Sequence, residues 1–189
     1  MNKTIVAVCV LFSSVVCAGI DKQQIEIQHA GMTGTVHVSY GIRVFDDHVF
    51  SIGAGMVNES SSHDDMEIYS LKYRYNFETR VPFKLFNRVV EWQVASLSVT
   101  GIQGNDDNLY ASLPDKIPDG YYLPTANRIV FGVQSTIHLN SKYQVYWDWS
   151  VLDVGLINLV RNYDFYRDNY KFAGLAGVVT YGIGMRVEL

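Results

Sequence analysis

Apolar and polar residues alternate one by one along most of this chain, in blocks of about ten residues, and a period of two belongs to extended strands with one apolar face. In 142–151, Tyr143, Val145, Trp147, Trp149 and Val151 share one face, and Lys142, Gln144, Tyr146, Asp148 and Ser150 the other. The block 66–78 sets Tyr69, Leu71, Tyr73, Tyr75 and Phe77 against Ser70, Lys72, Arg74 and Asn76. Blocks 36–45, 128–139 and 172–189 follow the same rule, the last with Tyr181, Ile183, Met185, Val187 and Leu189 on its apolar parity. Weaker blocks at 24–30, 49–57 and 88–101 complete a set of eight, and a change of parity near Ala95 predicts a β-bulge. The fold class is all-β.

The connections alternate in length. Those at 46–48 and 140–142 are tight and that at 79–87 is moderate, whereas 58–65, 102–127 and 155–171 are long. Short connections therefore fall at one end of the sheet and long ones at the other, with 31–35 as the one short link on the long side. With 189 residues, 48% hydrophobic and 18% charged, the chain makes one domain and is no disordered polymer. A formal charge of −4 gives nucleic acid nothing to bind, since phosphates need a basic surface.

Eight strands with one apolar parity close into a barrel that points that parity either inward or outward. The polar parity carries Arg43, Lys72, Arg74, Glu91, Arg128, Asp148, Arg186 and Glu188 with several glycines between them, a mixture suited to a narrow lumen with a charge network. The apolar parity is aliphatic in mid-strand and turns aromatic toward the ends, at Tyr143 and Trp149 and at Tyr69 and Phe77, as a membrane barrel's belts do. Lipid offers no partner to an open sheet edge, so the expectation is an eight-stranded antiparallel up-and-down transmembrane β-barrel.

At the N-terminus, Lys3 precedes the apolar run 5–12 and the small residues of 13–18, the order of a secretory signal peptide. Residues 1–18 are expected to be removed, leaving the barrel at 19–189. Cys17 also fits a lipoprotein signal, against which stands the bulk of Val16. Cys9 and Cys17 are the only cysteines, so the barrel itself has neither a disulfide nor a thiolate ligand. An even strand count returns both termini to the periplasmic side and turns the long connections outward.

The stretch 24–189 resembles the small eight-stranded outer-membrane barrels of Gram-negative bacteria. The end, Tyr181-Gly182-Ile183-Gly184-Met185-Arg186-Val187-Glu188-Leu189, is similar to the alternating signal such proteins show to the barrel-assembly machinery, and departs from it by closing on Leu189 where an aromatic residue is usual. The resemblance implies a place in the outer membrane among phospholipid and lipopolysaccharide, and a role in adhesion, colonisation or envelope integrity. It also brings a rival, since some barrels of this size deacylate or acylate lipid A.

His138 and Asp148 are the catalytic candidates for that rival. In the deacylase pattern a His and a Ser stand two apart on one strand face; here His138 and Ser141 are three apart, on opposite faces, and no Gly-x-Ser-x-Gly elbow occurs. An eight-stranded lumen is filled by its own side chains, so the other rival is a narrow ion path rather than a porin. The five histidines are scattered, and only His63-Asp64-Asp65 clusters, so no metal or cofactor is expected. The loops are the candidate binding surface for a host protein or glycan: Tyr110, Tyr121 and Tyr122 in 102–127, and Tyr163 and Tyr166 in 155–171, where a short amphipathic helix is expected.

Overall fold

Each alternating block forms a strand that pairs antiparallel with its neighbours in chain order. The computed structural model describes residues 20–58, 65–106, 109, 125–168 and 178–189. Residues 1–18, where a signal peptide is expected, and His63, Asp64, Tyr110, Tyr121 and Tyr122 lie outside the described residues. The strands are β1 (Ile20–Ala30), β2 (Val36–Val44), β3 (His48–Val57), β4 (Met66–Asn76), β5 (Arg80–Leu85), β6 (Arg88–Asn105), β7 (Asn127–His138), β8 (Tyr143–Leu152) and β9 (Val179–Glu188). Two helices, α1 (Asp153–Arg161) and α2 (Tyr163–Asp168), stand between β8 and β9.

The sheet runs β4-β3-β2-β1-β9-β8-β7-β6-β5, and a further pairing of β4 with β6 closes β1–β4 and β6–β9 into an eight-stranded barrel. Closure leaves no free edge within the ring, as the expectation required. The bulge is where the parity change places it: Gln93 faces Thr136 and Ser96 faces Gln134, so one extra residue sits in β6.

Two features differ from expectation. The segment 79–87 is no simple turn, because β5 pairs with the first part of β6 from Arg80↔Gln93 to Leu85↔Arg88. This hairpin runs on past the point where β4 leaves β6 at Asn76↔Ser96. The strand β6 also continues through residues 102–105, which shortens the long connection after it.

Local chemistry explains the short links. Asn140 Oδ1 accepts from the backbone N–H groups of Lys142 and Tyr143, both at 2.8 Å, and so turns β7 into β8. Between β1 and β2, Gly34 takes φ +115, and a Cβ there would fall 2.7 Å from the Met56 carbonyl oxygen, a place that no larger residue can fill. On the long side, α1 begins where Asp153 turns back to accept from the Val154 N–H at 2.7 Å, with that acidic residue at the positive end of the helix.

The polarity is inverted relative to a soluble barrel. Gln24, Glu26, Gln28, His37, Ser39, Ser51, Lys72, Arg74, Ser98, Gln134, Gln144, Asp148 and Arg186 are buried. Outside, Ile27 is 52% exposed, Leu71 54% and Ile183 54%, with Val38, Ile52, Leu97, Val99, Val133 and Met185 likewise open. Aromatic side chains gather toward the ends of this outer face. Near the short turns His48 stacks on Tyr73, and Tyr75 meets Phe77 edge-on; near the long links Tyr69, Trp149 and Tyr181 are exposed.

Candidate functional site: the filled lumen

The lumen is built around one carboxylate. Glu26 stands on the inward parity of β1 between Gln24 and Gln28, and all three are buried. Its Oε1 accepts from Arg74 Nη1 on β4 at 2.6 Å, from Arg186 Nε on β9 at 2.8 Å and from Gln24 Nε2 at 2.5 Å. Lys72 Nζ stands 3.8 Å from Oε2. Two guanidinium groups thus converge on a single anion from different strands, and the amides that surround them accept further N–H bonds.

Those amides form a shell. Arg186 donates to Gln144 Oε1 at 2.7 Å and to Gln134 Oε1 at 3.3 Å, while Arg74 donates to Gln134 Oε1 and Gln24 Oε1, each at 3.3 Å. Arg186 also lies 4.8 Å above the Tyr146 ring, whose hydroxyl donates to Gln28 Oε1 at 3.2 Å. Charged donors and acceptors with this many partners can be buried about the axis where isolated charges could not. Glycines make the room. A Cβ at Gly184 would collide with the Cζ–Oη end of Tyr146, and one at Gly53 with Cε1 and Nε2 of the His37 ring.

Toward the short-turn end a second anion closes the lumen. Glu188 accepts from Arg43 Nη2 at 2.5 Å, from Gln144 Nε2 at 2.7 Å and from Lys22 Nζ at 3.2 Å. Toward the long links, His37 shares a 2.8 Å hydrogen bond with Ser70 Oγ.

The residues expected from sequence divide accordingly. Lys72, Arg74, Arg186 and Arg43 enter the network, and Asp148 is buried in the lumen wall beside Gly132. Glu91 does not join them. It lies on the β5–β6 hairpin, half-exposed, 3.1 Å from Arg80 Nη1. Arg128 stands at the far rim, donating to the Asn127 carbonyl at 2.9 Å. The pivotal Glu26 was not singled out by the sequence, although its flanking Gln24 and Gln28 on the same parity are the signal that marks it.

His138 and Asp148 are not brought together. His138 pairs in register with Gln144, and Asp148 lies four residues further along β8, a separation of roughly 13 Å at about 3.3 Å per residue. His138 bonds Gln93 Oε1 at 3.3 Å, and Ser141 is exposed in the turn. Among the described residues no group of three or more His, Cys, Asp or Glu could hold a metal ion.

At the long-link end the expected amphipathic helix is present as α1 followed by α2. Leu156, Val160 and Tyr163 fall at helical spacing, and all three are exposed, as is Phe165. Tyr166 is half-buried, its hydroxyl taking a 3.4 Å bond from Asn158 Nδ2. The fold and this interior define a class: an eight-stranded closed antiparallel β-barrel with a polar, filled lumen and an apolar exterior. No protein-family model, curated protein or solved structure matches the chain.

Proposed function

We propose that the chain is a non-enzymatic barrel of a bacterial outer membrane that holds surface loops in place for adhesion, colonisation or contact with the envelope. The observation that carries the reading is the inverted polarity, ionic groups buried about the axis and Ile27, Leu71 and Ile183 half-exposed outside. An exterior of this kind far exceeds the few hundred Å² of apolar patch a soluble monomer tolerates, and acyl chains are the solvent that suits it. A lumen crossed by Arg74 and Arg186 has no room for a wide pore.

The loops carry the activity in this reading. A rigid ring supports them, and Tyr163 and Phe165 offer exposed aromatic surface with little rotamer entropy to lose on binding. Deleting 107–124, which leaves β6 and β7 whole, is expected to abolish binding of bacteria to host cells or matrix, while the barrel still shows heat-modifiable gel mobility in the outer-membrane fraction. Unchanged adhesion after that deletion, in the presence of the folded barrel, would refute the recognition reading.

A further inference from the structure

The β5–β6 hairpin joins the ring only at its base, where Glu91, Trp92 and Gln93 pair with β7, and its tip projects past the ring on the side away from the long links. Its two faces differ. One carries the register pairs Val81↔Trp92, Phe83↔Val90 and Leu85↔Arg88, with Val81 and Trp92 exposed, Phe83 and Leu85 half-buried and Val90 buried. The other carries Arg80↔Gln93, Pro82↔Glu91 and Lys84↔Val89. Trp92 ties the first face to the barrel wall, donating from Nε1 to Ser135 Oγ at 2.7 Å.

The tip is Phe86-Asn87, both with positive φ, at 44° and 64°. Two-residue hairpins of this twist favour Asn or Gly at those positions, and a bulky aromatic there is held in a conformation it rarely adopts. Phe86 gains nothing from the fold in return, being 94% exposed. Lys84 and Arg88 flank it, both exposed, and neither forms an ion pair among the described residues. An aromatic tip between two exposed cations, beside the exposed Val89 and on a strand pair tied to the barrel wall through Trp92, matches a bilayer surface. Acyl chains take the ring, and anionic headgroups take the cations as their stems snorkel outward.

We propose that the β5–β6 hairpin is a membrane-surface anchor that seats Phe86 among the headgroups of an anionic phospholipid leaflet, with Lys84 and Arg88 against the lipid phosphates. This rests on the barrel being membrane-embedded, and the test separates the two claims. The full chain, with Cys9 and Cys17 replaced by Ser, receives a spin label at Phe86→Cys or, as a control, at Ile27→Cys on the mid-barrel exterior. Each is reconstituted in vesicles of phosphatidylcholine alone or mixed with phosphatidylglycerol, and collision with oxygen is compared with collision with a water-soluble nickel chelate.

The label at 27 should favour oxygen in both vesicles. At 86 the label should move from nickel-accessible to oxygen-accessible when phosphatidylglycerol is added, and Lys84→Gln with Arg88→Gln should abolish that shift while gel mobility shows a folded barrel. A label at 86 that stays nickel-accessible in both vesicles, with 27 in lipid, overturns the anchor and leaves the barrel reading standing. A shift that survives loss of both cations overturns the headgroup contact. Nickel access at 27 overturns the embedded barrel and the anchor with it.

Discussion

Neutralising Glu26 tests whether the lumen is a single electrostatic unit. Glu26→Gln keeps the shape and one acceptor oxygen but removes the only anion, among the described residues, within hydrogen-bond reach of both Arg74, at 2.6 Å, and Arg186, at 2.8 Å. Both guanidinium groups are 2% exposed or less, so neither can recruit solvent as a substitute. Removing one partner of a buried ion pair costs about 3–5 kcal/mol, and the retained amide places this substitution near 3 kcal/mol. The exposed pair Arg80 and Glu91, at 3.1 Å, supplies the contrast, since Glu91→Gln should cost no more than about 1 kcal/mol. The assay is reversible urea unfolding of the vesicle-inserted barrel, followed by tryptophan emission and gel mobility. A third variant, Glu26→Leu with Arg74→Met, removes two opposite charges together and should recover part of the loss. If Glu26→Gln shifts stability by less than about 0.5 kcal/mol, or if Glu91→Gln costs as much, the reasoning about a desolvated charge centre is wrong.

Gly184→Ala should destabilise the barrel by about 1–3 kcal/mol, because the new Cβ meets the Tyr146 ring and the Ile27 carbonyl, and Tyr146→Leu in that background should relieve part of it by melting-temperature measurement. Trp92→Phe removes the indole donor from Ser135 Oγ on the outer face and should cost about 1 kcal/mol in the same urea assay, with Ser135→Ala then restoring stability. In planar bilayers the purified chain should give no steady unitary conductance, since Arg74, Arg186, Gln134 and Gln144 fill the cross-section; regular steps that respond to Lys72→Gln would show an open path.

Strand identity was legible because alternation is a one-dimensional signal. Tyr143 to Val151 needs no partner to announce its two faces, and the parity change at Ala95 announced the bulge in the same way. The network was legible only in part. Lys72, Arg74 and Arg186 are conspicuous charges on inward parity, whereas Glu26 sits in a short block and acquires its weight when closure brings β4 and β9 to β1. Glu91 has inward parity too, but parity does not tell where a neighbouring strand ends, and Glu91 lies past the point where β4 leaves β6, paired with Pro82 of β5 and with His138 at the last turn-ward pair of β7. The strand β5 was hidden in the link 79–87, read as a turn of moderate length, because Pro82 and the absence of an Asn-Gly pair at Phe86-Asn87 mask the alternation of Val81, Phe83 and Leu85. Loop residues Tyr163 and Tyr166 fell on the predicted helical segment, but a helical period does not say which face stays exposed.

The chain's three tryptophans, Trp92, Trp147 and Trp149, all lie on the outward parity, so its native fluorescence reports the environment of the exterior directly. After reconstitution in vesicles whose acyl chains carry bromine, emission should be strongly quenched, while iodide in the surrounding buffer should have little effect. Emission untouched by brominated lipid and readily quenched by iodide would mean that the apolar parity faces water, and the account of an outward-facing hydrophobic wall would fail.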